Sequence, residues 1–319
     1  MRRTGMQSRS GIQTHLKSFN TKTITKKQDT PQGLADQIAD IKNVAEKVKV
    51  KLTPEIERYI RSHLQSAQGK LERGEKLTHA DLAFMEKARG MIAAERFKQI
   101  ELAPQYGKRL ETLKFFGFLG KNGKTKEGDA PFPPIEKAID SFTPEELVVA
   151  KDFQEPTLLL IPETSFATKV AAIDGHTTME DQINTFGVDI FTKSDSGTKR
   201  ISGWKIVIVD GANEMEPKKG DDTKLEYGKR IEKRKKDRNP VEKGMERHAY
   251  ALLMMESLRN GEPIDKDTYT LLDDDHVLSA SGVPYGSWDH ELMSFFMGNP
   301  RLSSVNARLR SSVGENVLL

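Results

Sequence analysis

At 319 residues the chain exceeds one ordinary hydrophobic core and has room for about two domains. It is 36% hydrophobic and 30% charged, and no run approaches the roughly 18 to 20 apolar residues needed to cross a bilayer, so a membrane span is excluded. It contains no cysteine, which excludes disulfides, thiolate catalysis, iron–sulfur clusters and cysteine-ligated zinc.

The net charge of +3 is unevenly spread. Residues 1–30 carry seven Lys/Arg against the single acid Asp29, and residues 218–238 carry ten against five acids. These tracts hold +6 and +5, which leaves −8 for the rest of the chain. The folded parts are therefore expected to be mildly acidic and the tracts basic. The first tract is Ser/Thr-rich with isolated apolar residues. It reads as a disordered basic tail, not as a transit peptide or a secretory signal, and the expected compartment is the cytoplasm.

From Gln32, Leu34, Ile38, Ile41, Val44, Ala45 and Val48 recur at helical spacing. Thr53-Pro54-Glu55 opens a second helix, with Ile56, Tyr59, Ile60, His63, Leu64, Ala67 and Leu71 on one stripe and Gly74 as its stop. Thr78-His79-Ala80-Asp81 predicts a capped third helix through Phe97. Residues 103–156 read as a looser region with short helices from Ile135 and from Thr143-Pro144. Thr157–Ile161 and Trp204–Val209 read as buried strands, with a helix capped by Thr164/Ser165 after the first. Further pieces are expected at Met179–Phe186 (helix) and Val188–Thr192 (strand). After the second basic tract, a helix is expected over Val241–Arg259, then strand-like pieces at Leu292–Met297 and Val305–Val313, where Arg308 and Arg310 alternate with Ala307, Leu309 and Ser311.

The expected fold is α+β. It has a disordered basic tail over 1–31, a helical region over 32–155 and a mixed α/β module over 156–217. A basic linker over 218–240 and a C-terminal α+β segment over 241–319, packed on the module, complete it. One internal echo joins Leu71–Asp81 and Leu258–Thr268. Both read as helix end, glycine, acid, aliphatic, then a new N-cap, as expected of two helix junctions that share cap chemistry.

No complete catalytic signature is present. Gly117–Thr125 imitates a phosphate loop, but Phe118 stands where its first glycine belongs, and no helix opens after it. Glu163, Asp174, His176 and Asp210 lie at strand ends and turns, where carboxylates and an imidazole can gather a metal or serve as general base. Turn chemistry alone also collects Asp there. Asp273-Asp274-Asp275-His276 lacks the spacing of a calcium loop and reads as solvated. No motif assigns a metal or a cofactor.

The clearest electrostatic feature is Lys229, Arg230, Lys233, Arg234, Lys235 and Lys236, a run that can bind phosphates and release counterions. No aromatic interleaves with it, so base stacking is not expected. The expected function is thus a non-catalytic binding or scaffold protein whose flexible basic tracts touch an anionic partner such as nucleic acid. The alternative is a metal-dependent hydrolase or nuclease using Glu163, Asp174, His176 and Asp210. The Met-rich stretch Leu252–Met255 exceeds one helical stripe and offers an assembly surface.

Gly244–Tyr250, Met255–Asp265, the Trp288 region, Asn306–Val313 and Trp204–Gly211 together resemble an uncharacterised bacterial protein family. The resemblance spans roughly Pro156–Leu319 and implies no catalytic residue.

Overall fold

In the computed structural model the described residues are 36, 38–39, 52–119, 134–174, 201, 203–213, 224–225, 227–262, 264–265, 267–273, 285–289, 294–298 and 307–318. The expected tail, the 179–186 helix and the 188–192 strand lie outside them. So does most of the helix from Gln32, of which Asp36, Ile38 and Ala39 are helical. The chain divides into two compact units, Met1–Arg89 and Gly90–Leu319. The described residues 90–119 and 134–155 belong to the same unit as the strands.

In the first unit, α1 spans Pro54–Glu72 and α2 starts at His79, its residues running on to Phe97. Thr53 caps α1 by accepting from the Ile56 amide at 3.3 Å, with proline in the first turn. The Thr78 and Asp81 side chains exchange bonds with each other's amides at 3.3 and 2.7 Å. Lys70 donates to Asp81 at 2.8 and 2.9 Å, which ties the two helices together. That hydrogen bond, helped by those from Thr78, holds the Asp81 carboxyl down at about 2. Ile60, Leu64, Ala67, Phe84, Met85 and Ala88 are buried, in line with the expected stripe.

In the second unit, a π-helical turn at Lys98–Leu102 leads directly into α3, Ala103–Phe115. Pro104 has no amide to give to the carbonyl four residues back, and the wider turn resets the ladder there. The two short helices expected here are present, α4 (Ile135–Asp140) and α5 (Pro144–Lys151), the latter with a full Thr143/Glu146 capping box, and α3 precedes them where the sequence predicts only a looser stretch.

Among the described residues two four-stranded sheets follow. The strands are β1 (Pro156–Ile161), β2 (Trp204–Asp210), β3 (Lys243–Gly244), β4 (Tyr269–Leu271), β5 (Tyr285–Asp289), β6 (Ser294–Gly298), β7 (Ala307–Leu309) and β8 (Ser311–Leu318). The first sheet has the order β1-β2-β8-β3 and is antiparallel; the second is β6-β5-β4-β7, with β4 and β7 parallel. β1 is an edge strand, yet it is apolar and buried. Its open backbone is covered by α3: Gln105 donates to the Pro156 carbonyl at 3.0 Å and accepts from the Leu158 amide at 2.9 Å, and Arg109 donates to the Leu158 carbonyl at 2.5 Å. The first half of this edge is thereby withheld from another strand.

The helices are α6 (Phe166–Asp174) after β1, α7 (Tyr227–Asp237) after β2, and α8 (Arg247–Arg259) after β3. Ser165 caps α6 by accepting from the Thr168 amide at 3.1 Å. α8 starts later than expected, because Lys243–Gly244 pairs with β8 instead of joining the helix. The α8 residues Ala249 to Met255 are all buried in one core with β1, β2 and α6. The Met-rich stretch is thus internal and offers no assembly surface.

The internal echo holds at its first half. Gly74 and Gly261 have φ of 73° and 72°. The residue after each donates back to the same relative carbonyl, Glu75 to Lys70 at 2.9 Å and Glu262 to Ser257 at 3.0 Å. The second half departs: no helix opens at Asp265, which has φ 54° and is fully buried ahead of β4.

Gly286 on β5 faces the Tyr250 ring of α8 so closely that a Cβ there would overlap its carbons. Gly286→Ala is expected to lower stability by about 1–3 kcal/mol. Urea denaturation checks this; an unchanged midpoint would mean that the ring moves aside without cost.

Candidate functional site

The second basic tract is not a flexible linker over its whole length. Residues Tyr227–Asp237 form α7, and its two faces differ. At about 100° per residue, Lys229, Lys233 and Lys236 fall within about 60° of arc, and Arg230, Ile231, Arg234, Lys235 and Arg238 fall on the opposite side. Burial follows this division. Lys229, Lys233 and Lys236 are exposed, whereas Arg230 is 1% and Ile231 3% exposed.

The inner face is fastened mainly by charge. Arg234 pairs with Glu242 and donates to Ser311 at 2.7 Å. Lys235 and Arg238 both reach Asp273, at 2.8 and 3.1 Å. The apolar part of this contact is Ile231 against Leu271 and Leu309, with Tyr285 beside them. A cavity of about 10 Å³ lies against Ile231, Arg234, Arg238, Leu271, Asp273 and Leu309. Of the six candidate anion-binding residues, three thus turn outward and three turn inward. Asp273, expected to be solvated, is a double ion-pair partner; residues 274–276 lie outside the described residues.

The candidate acid–base group is not assembled in this way. Asp210 pairs with Pro156 at one end of the β1–β2 ladder, whereas Glu163 lies two residues past Ile161, at the other end. Five register steps separate these ends, roughly 17 Å at strand rise. Asp210 is fully buried and accepts from the Glu155 amide at 3.1 Å, a structural bond that holds the turn before β1. Asp174 is the last residue of α6, and His176 lies outside the described residues. Among the described residues there is no group of three or more His, Asp or Glu that could hold a metal ion.

Near the end of β2 lies a charge network that periodicity alone does not reveal. The Arg310 and Asp265 side chains are both fully buried and meet at 2.6 Å. Arg310 also donates to Thr270 Oγ1 at 2.7 Å and to the Asp210 and Ala212 carbonyls at 2.8 and 2.7 Å. Asp265 accepts from Tyr250 at 2.9 Å, Thr270 at 2.6 Å and Thr268 at 3.1 Å. Burial acts to lower the Arg310 pKa, but Asp265, Tyr250 and Asp210 together raise it. With its donors and acceptors so engaged, the network has the character of a structural knot.

At the other end of the β1–β2 ladder stands His248. Its ring meets Phe166 edge-on at 5.7 Å, and the Arg247 guanidinium lies over the same ring at 5.4 Å. Burial, with Lys169, Arg247 and Lys205 nearby, pushes the imidazole down to about 2.

The fold is α+β, with a helical N-terminal region followed by strands. No protein-family model, curated protein or solved structure matches the chain. No helix among the described residues is long and apolar enough to cross a membrane.

Proposed function

We propose that this is a cytoplasmic binding protein that holds an anionic partner, the phosphate backbone of a nucleic acid, on the outer face of α7. The observation that supports this reading is the segregation of α7: its inner face is spent on the protein, and Lys229, Lys233 and Lys236 stand exposed along one line. Successive lysines on one helix face suit a regular row of phosphates. The described outward positions, which also include Glu232 and Asp237, bear no apolar side chain to insert into a lipid surface. Nor do they bear an aromatic one to stack on a base, so binding is expected to be independent of sequence.

Replacing Lys229, Lys233 and Lys236 together by alanine should reduce the slope of log K against log salt for a DNA duplex by roughly 2 to 3. An unchanged slope, or no binding by the native protein at low salt, would defeat the reading.

A further inference from the structure

We infer that α7 carries a second, masked half of the same phosphate-binding surface, and that Glu242 and Asp273 are its mask. This inference rests on the reading given under Proposed function and extends it from three cations to six. Arg234, Lys235 and Arg238 are held by two carboxylates on segments that flank or face the helix. Those pairs are partly buried: the cationic side chains are 21%, 33% and 16% exposed, and the Glu242 and Asp273 side chains 13% and 10%. These cations lie on the side of the helix opposite the outer lysines, so a polyanion reaches them as α7 comes off its seat.

Three features favour exchange of partners. Apolar anchoring of α7 is small, with Ile231 its one buried hydrophobic residue among the described ones. The cavity against Ile231, with room for one water, leaves the packing incomplete. Each of the two carboxylates keeps a solvent-facing edge, 13% for Glu242 and 10% for Asp273, through which another anion can compete for the cations. Phosphates would replace the Glu242 and Asp273 carboxylates around Arg234, Lys235 and Arg238, and α7 would loosen from β4 and β7 as it binds. The device is autoinhibitory: with both carboxylates in place, Arg234, Lys235 and Arg238 are withheld from the polyanion.

The test is amide hydrogen exchange along residues 229–237 of the full chain, free and saturated with a short DNA duplex. The masked surface predicts exchange faster by on the order of tenfold in the complex, because bound α7 has left its seat. A plain lysine surface predicts exchange unchanged or slower in the complex, and either result overturns the inference. Independently, Glu242→Gln with Asp273→Asn should tighten duplex binding on the order of tenfold, since the released cations add phosphate contacts. If neither the native protein nor this variant binds the duplex, the underlying reading fails and the mask with it. If the native protein binds and the variant binds no more tightly, the mask alone fails. Binding to phosphatidylserine vesicles in preference to the duplex would overturn the choice of nucleic acid.

Discussion

Arg310→Met is expected to cost about 3–5 kcal/mol of folding stability, the range for removing one partner of a buried ion pair. The reason lies in the chain path. β7 belongs to the second sheet and β8 to the first, so the chain changes sheets at Arg310. Its guanidinium takes carbonyls at the end of β2, the Thr270 hydroxyl on β4 and the Asp265 carboxylate at once. Without it, the Asp265 carboxyl is left in a fully buried place without its cationic partner, and the Asp210 and Ala212 carbonyls lose a donor. Asp265→Asn should cost nearly as much, and it separates charge from backbone: asparagine tolerates the positive φ at 265, so the loss reports the missing carboxylate. The double variant should lose less than the sum of the two, because the second change removes a charge that the first left unpaired. Urea denaturation of the three variants measures this. Additive losses would mean that the two side chains act separately.

The knot also shows where sequence reading stops. Strands β1 and β2 are legible because Leu158–Ile161 and Ile206–Val209 are continuous apolar runs buried on both faces. The helix starts are legible because Thr53, Thr78, Thr143 and Ser165 carry capping chemistry within four residues, where no tertiary knowledge is needed. Arg310 is different. Its alternation with Leu309 reads as one continuous strand, but the residue is the hinge between two sheets, and each of its partners lies at least 40 residues away. Local pattern carries no information on contacts of that range.

The second basic tract fails for a related reason. A helix usually announces its buried face with apolar residues, and α7 has a single Ile231 to do so. Charged residues at i, i+4 and i+8, Arg230, Arg234 and Arg238, form its inner side, and the partners of the last two, Glu242 and Asp273, can be identified only from the fold. What could have been noticed is that Lys229, Lys233 and Lys236 share a face, which six basic residues in a flexible linker would have no reason to do. The candidate acid–base group fails on topology. Asp210 and Glu163 each end a strand, but the strands are antiparallel, so the ends of consecutive strands lie apart. A parallel pair would have brought them to one side.

The pH dependence of stability should carry the mark of His248. In the unfolded chain its imidazole titrates near 6.5, whereas in the folded protein it is pushed down to about 2, first by burial and then by Lys169. Lys169 is itself fully buried, with its ammonium donating to the Pro162 carbonyl and to both oxygens of Thr164, so it cannot move away. Arg247 stays over Phe166, and Lys205 stands opposite Ile161 in the sheet register. The folded state therefore binds the neutral ring and refuses the proton. Stability from this group is complete above pH 6.5 and falls as pH drops from there toward about 2, by up to about 1.4 kcal/mol per pH unit. His248→Phe keeps an aromatic ring against Phe166 and has nothing to protonate. Between pH 7.5 and 5 the native protein should lose up to about 2 kcal/mol relative to this variant. The difference cancels the carboxylates that both proteins share, so it isolates one residue. A gap that stays constant over that range would mean that His248 takes up its proton in the folded state as readily as in the unfolded one, and that the cations around it do not act on it as a group.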